Sequence, residues 1–340
     1  MNGNNGRILG SSDSCAHPGA TGLAPPTGSL VTTQADGGQP RRDKPATWLP
    51  FRPGDQLLDC AYEVIRQLTV GGMGEIYEVR DPMGAPAAMK VLSSSLQGRA
   101  DLVGRMIDEA CALRLIRHDN VVRWRDAGVL SDGRPFVITE LLRGRTLRAH
   151  VAQFGAVSPP RARRWTVELL FALDAIHQTD LVHCDVKLDN VFLCVDGSIK
   201  LLDLGAAEPA NDHRAPACLP PIGTPRYMAP EQVAGRGVDE RTDVYAVGLL
   251  LAELLCGKWP FVASPTVATP LAAQLAGDYP QLSRNAPDLL AIISRAAAPE
   301  PEARYPNALA MARMVLSPTR RSGRRRPPGR AAERLAANDQ

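Results

Sequence analysis

The chain is 340 residues long, 44% hydrophobic and 22% charged, enough to bury a full core and leave tails beyond one domain. Its net charge of +3 sits at one end: seven arginines against Glu333 and Asp339 make residues 317–340 +5 and leave about −2 elsewhere, which excludes a basic domain face. Seven cysteines, odd in number and scattered, exclude a disulfide framework or paired metal-ligand spacing and suit a reducing cytoplasm.

Residues 1–58 are rich in Gly, Ser, Thr, Pro and Asn with little apolar periodicity. They are expected to be a disordered tail, and no apolar leader core follows Met1. Tyr62 to Leu68 is predicted as a strand and Glu75 to Val79 as its partner, with Gly71, Gly72 and Gly74 near the turn between them. Glycine has no Cβ, so backbone N–H groups here can approach a phosphate, although any hairpin can contain such a turn. After a turn at Asp81-Pro82-Met83-Gly84 comes a third strand, Ala87 to Leu92. Lys90 is a cation inside that apolar run. Burying it unpaired is costly, so it needs a phosphate, a carboxylate or both. A helix is predicted over about Leu102 to Arg117, with Met106, Ala110 and Leu113 on one stripe. Glu109 falls on or beside the stripe and is the candidate partner of Lys90, whereas Asp108 points to solvent.

Arg161 to His177 is predicted as a helix that turns Trp165, Leu169, Ala172, Leu173 and Ile176 inward. Beyond it, two apolar, β-prone runs, Val191 to Val195 and Ser198 to Leu202, flank Asp196-Gly197, which reads as a two-residue hairpin turn. In that register Val195 faces Ser198 and, at the open end, Asn190 faces Asp203. Either residue alone is an ordinary strand-end turn former. Paired, an amide oxygen and a carboxylate suit Mg²⁺, a hard ion that shares its shell with water and substrate phosphates. With the glycine turn and Lys90, this points to phosphoryl transfer from ATP. Asp185 enters the hairpin and can accept a proton from an attacking hydroxyl or hold it in line. Lys187 can neutralise charge on the moving phosphate, and His183 is read as structural. Further helices are predicted over 243–256, 271–276, 286–297 and 307–315. The longest apolar run, Ala246 to Ala252, is too short to span a bilayer and fits a buried central helix. The arginine-rich tail could touch nucleic acid, anionic lipid or an acidic protein, but a solvated end is the favoured expectation.

These residues resemble the signature set of eukaryotic-like protein kinases, and look most like the bacterial Ser/Thr kinases of the Hanks type, from about Tyr62 to Leu316. The resemblance implies an α+β, bilobal fold, with a small β-rich lobe over 59–142, a larger helical lobe over 143–316, and ATP between them. It implies nucleotide contacts from Leu68, Gly71, Gly72, Gly74, Ile76, Ala88, Lys90 and Leu193, with Thr139 as gatekeeper and Glu140 to Leu142 as the hinge on adenine. Glu109 would hold Lys90. Asp185 and Lys187 would be catalytic, Asn190 and Asp203 would hold Mg²⁺, and the acceptors would be Ser/Thr hydroxyls of protein substrates. Asp243 matches the buried aspartate that anchors the catalytic loop, and Arg304 the partner of Glu231. Many such relatives carry a membrane span and an outer sensor after the kinase. This sequence shows neither, so a soluble cytoplasmic protein is expected.

Three positions depart from the pattern: Thr69 stands for the first loop glycine, Leu204 for a phenylalanine, and Cys184 for the arginine that grips an activation-loop phosphate. Ala206 to Gly223 also lacks any Ser, Thr or Tyr. Gripping cation and gripped residue are both missing, so activation-loop phosphorylation is not expected to be the on-switch. The alternative function is a pseudokinase scaffold; a small-molecule kinase fits less well, because Gly223 to Glu231 matches a peptide-facing segment.

Overall fold

The computed structural model describes residues 48–58, 61–71, 74–96, 98–210, 226–259 and 286–317. Expectations for Gly72, the segment from Asn211 through Thr224, the helix over 271–276 and most of both tails lie outside the described residues.

Six antiparallel strands build the small lobe: β1 (Gln56–Leu57), β2 (Tyr62–Val70), β3 (Gly74–Arg80), β4 (Pro86–Leu92), β5 (Trp124–Val129) and β6 (Pro135–Glu140), in the order β1-β2-β3-β4-β6-β5. β2 runs two residues beyond its expected end, because the β-branched Thr69 and Val70 continue the pairing with Ile76 and Glu75. Strand alternation sorts the side chains of β4. Ala87, Met89 and Val91 pack with Val64, Tyr77, Val79, Phe136 and Ile138 on one face, which leaves Ala88 and Lys90 on the other. Helix α1 (Ala100–Leu115) buries Leu102, Met106, Glu109, Ala112 and Leu113, and its apolar residues join one core with Leu92 and Val137.

The expectation of disorder through residue 58 fails for its last part. Trp48 is buried and donates its indole N–H to the Asp132 carbonyl, Phe51 packs edge-on against Tyr77, and β1 joins the sheet. A few apolar anchors hold a stretch whose average composition reads as loop.

The large lobe follows with β7 (Gly144–Thr146), α2 (Leu147–Phe154), α3 (Pro159–His177), β8 (Leu181–Val182), β9 (Val191–Cys194), β10 (Ile199–Leu201), β11 (Glu208–Pro209), α4 (Pro230–Val233), α5 (Glu240–Cys256), α6 (Pro287–Ala296) and α7 (Ala308–Leu316). Helix α5 is buried on every side from Thr242 to Leu255, as the sequence suggested for a central helix. It begins three residues early because the Asp239 carboxylate caps the Arg241 N–H. Gly248 is needed there, since a Cβ would lie 2.9 Å from the Ala296 methyl on α6.

Arg304, 2% exposed, donates two guanidinium bonds of 2.7 and 2.8 Å to Glu231 and three more to the Ala298, Pro299 and Arg241 carbonyls. Glu231 also accepts from the Thr242 hydroxyl. The pair thus ties α4 to α5 and to the segment before α7. Arg304→Met strands a buried carboxylate and should cost about 3–5 kcal/mol, read as a lower urea midpoint at constant slope.

Candidate active site

Lys90 gathers two carboxylates. Its Nζ donates to both Glu109 oxygens at 3.0 and 2.8 Å and to Asp203 Oδ1 at 2.9 Å. Burial disfavours the ammonium, but Asp203 and Glu109 outweigh it and raise the Lys90 pKa. Glu109, 4% exposed, is raised by burial, which Lys90 only partly counters. Asp203 is also desolvated, yet Lys90 and the Gly205 N–H hold its pKa below the usual carboxylate range. So Glu109 braces the lysine from the helix, and Asp203, after the hairpin, presents a carboxylate held in its ionised form beside it.

The same sheet face carries other expected contacts. Register sets Ile76 across from Lys90 and Ala88 across from Thr139. Leu68, Ile76, Ala88, Thr139, Glu140 and Leu142 are all half-buried. The Gly71 N–H closes the turn onto the Gly74 carbonyl. Gly74 is also required by the sheet itself, because a Cβ would stand 2.6 Å from the Val91 carbonyl oxygen.

A second cluster surrounds Asp185. Its carboxylate accepts from Lys187 Nζ at 2.9 and 2.7 Å and from Asn190 Nδ2 at 2.9 Å, and the same amide nitrogen reaches the Asp185 carbonyl. The loop under it is anchored by Asp243 on α5. That carboxylate accepts from the His183 and Cys184 backbone N–H groups at 2.8 and 2.9 Å and meets His177 Nε2 at 2.8 Å. The anchor holds Cys184 at φ +63, a conformation side chains resist, while Gln232 donates to its carbonyl. The His183 ring is fully buried; it accepts from the Asp185 N–H and meets the Leu202 carbonyl. Asp243→Ala should therefore speed amide hydrogen exchange at His183 and Cys184 by at least tenfold, since each loses a buried acceptor worth about 1.5 kcal/mol or more.

The hairpin register departs from expectation by one residue. Val191, Phe192 and Leu193 pair with Leu201, Lys200 and Ile199, and Cys194 pairs with Ser198 around a three-residue loop closed by Gly197 at φ +85. Asn190 therefore stands opposite Leu202, whose N–H it receives at 2.8 Å, and not opposite Asp203. The chain then turns at Asp203, φ +56, which directs this residue to Lys90. Leu193, expected among the nucleotide contacts, instead lines a separate cavity with His150 and Trp165. Phe192 takes the opposite face, the one on which Lys200 reaches Glu140 at 2.8 Å. Opposed residues Phe192 and Lys200 carried that signal, as did His177 in continuing the Leu169, Leu173 stripe. Nothing in the sequence singled out Gln232.

A family model described as protein kinase domain matches residues 62–314. The chain is 38% identical over 261 residues to the serine/threonine-protein kinase Pkn1 of Myxococcus xanthus, covering 72% of this chain and 36% of that protein. It is 34% identical over 262 residues to PknL of Mycobacterium tuberculosis, covering 75% and 65%. It is 32% identical over 265 residues to PknB of Mycolicibacterium smegmatis, covering 75% and 42%. The match thus spans between about a third and two thirds of these relatives.

Proposed function

Since the chain belongs to the protein kinase domain family, we propose that it transfers the γ-phosphate of ATP to serine and threonine hydroxyls of proteins. The relatives it resembles are named serine/threonine-protein kinases. The observation that carries the proposal is the pair of clusters on one hairpin: a Lys90–Asp203 pair beyond one strand, and Asp185 with Lys187 and Asn190 before the other.

The donor set fits Mg²⁺. Asp203 is held ionised, and Asn190, whose Nδ2 is spent on Asp185, has its amide oxygen left to coordinate. Two protein oxygens would leave the rest of the shell to water and phosphate, the way Mg²⁺ is commonly bound. Bound there, Mg²⁺ would neutralise and orient the phosphates. Lys90, braced by Glu109, would bind the α- and β-phosphates. Asp185, its rotamer fixed by Lys187 and Asn190, would orient the acceptor hydroxyl and take its proton, and Lys187 would neutralise the γ-phosphate. Leu68, Gly71, Gly74, Ile76, Ala88 and Thr139 would enclose the nucleotide, Glu140 and Leu142 would meet adenine, and Phe192 replaces Leu193 beneath it.

A pseudokinase is not favoured, because each residue with a direct chemical role is present. Control by activation-loop phosphate is also disfavoured, since residues 206–223 offer no hydroxyl. Among the described residues no helix is long and apolar enough to cross a membrane. Cys111, Cys194 and Cys256 are free thiols. The test is incubation with labelled ATP and a protein lysate. Phosphoserine and phosphothreonine should form, and Asp185→Asn should lower the rate by roughly 10²-fold or more. Equal labelling by the variant would refute the role of Asp185.

A further inference from the structure

The cavity that holds Leu193 is unrelated to the site above. It measures about 310 Å³ and lies between α2, the start of α3 and the tip of the β9–β10 hairpin. Its floor is Leu193 and Cys194 at the end of β9 with Val195 of the hairpin loop, and Val195 is 81% exposed. Its wall is aromatic: His150 meets Trp165 edge-on at 5.3 Å and Phe154 at 4.9 Å. Its rim is cationic. Arg161 sits over the Trp165 ring and Arg145 over Phe154, and Arg164 extends from α3 beside Gly197. Glu168, at 2.8 Å from Arg164, and Asp196, at the hairpin tip and facing the same arginine, are the nearby counter-charges, so Arg145, Arg161 and Arg164 still outnumber the carboxylates. The surplus of positive charge is felt inside, where the His150 imidazole is disfavoured as a cation first by burial and then by Arg161 and Arg145.

The geometry points to a docking groove for an acidic, aliphatic peptide segment of a protein substrate. The apolar floor would take alternate aliphatic side chains, and the arginine rim would take carboxylates. The chain's own arginine-rich tail has the wrong charge for it. Nucleic acid is a poorer fit, because the faces a base would stack on are spent: Trp165 is buried between Arg161 and His150 and gives its indole N–H to Gly197. Consequence for turnover rests on the kinase reading; binding does not.

The probe is a fluorescein-labelled peptide alternating glutamate and leucine, followed by anisotropy with the full chain carrying Asp185→Asn. Arg161→Glu and Val195→Asp, both on exposed positions, should each weaken Kd by about tenfold or more. Glutamine in place of glutamate should do likewise, and salt should weaken binding. Equal affinity in both variants would overturn the groove. So would a single-stranded oligonucleotide whose binding Arg161→Glu abolishes, because that assigns the surface to nucleic acid. In the chain with Asp185 intact, fusing the peptide to an acceptor should lower KM with kcat unchanged, and Arg161→Glu should remove that gain. Peptide binding without any phosphotransfer would sink the kinase proposal and leave the groove standing.

Discussion

Asp203→Ala is expected to lower phosphotransfer by on the order of 10³-fold or more while costing no more than about 1 kcal/mol of stability. The asymmetry follows from what each group holds. Asp203 is 31% exposed and shares Lys90 with a second acid. Without it, Lys90 keeps Glu109 at 2.8 Å, so no buried charge is stranded. What disappears is the ionised oxygen donor next to the cation that would bind phosphate. The small stability change comes from φ +56 at this position, which alanine tolerates less well than aspartate. Initial rates and urea denaturation on one preparation separate the two quantities, and retained turnover would contradict the metal assignment.

Lys90→Met should lose rate and stability together. Methionine can fill the stem of the lysine, but Glu109 and Asp203 then share a desolvated site with no cation between them. Breaking a buried ionic partnership costs about 3–5 kcal/mol, and the low end, about 3, is expected because Asp203 is partly open to solvent. Phosphotransfer should drop by roughly 10²-fold or more through loss of charge stabilisation. Adding Glu109→Gln to Lys90→Met should recover much of the stability and none of the rate, a coupling a double-mutant cycle reads directly. A Lys90→Met protein as stable as wild type would show that Glu109 is not held by this lysine.

The lobes were legible because their elements obey simple periods. Alternation in β4 singled out Lys90 as a misplaced cation, and the helical stripe of α1 put Glu109 beside it. The central hairpin was legible as an element but not in register: Asp196-Gly197 reads as a two-residue turn, whereas the third loop residue, Val195, shifts every pairing by one. That shift moved Asn190 opposite Leu202, whereas Leu193, expected from the resemblance alone, lies on the face turned away from Lys200. Asp203 still lies beside Lys90, because a left-handed turn, which no pairing rule shows, carries it there. Residues 48–58 depart from expectation for the opposite reason, since averaged composition hides the anchors Trp48 and Phe51.

The central claim is that Asn190 and Asp203, one residue out of register, jointly present oxygens to a magnesium–nucleotide complex held by Lys90. Titrating Mg²⁺ against ATP affinity tests it most directly. In the wild type, Mg²⁺ should tighten ATP binding by roughly tenfold or more, and Asp203→Ala and Asn190→Ala should each erase most of that gain while leaving metal-free nucleotide binding in place. An undiminished Mg²⁺ response in both variants would contradict it.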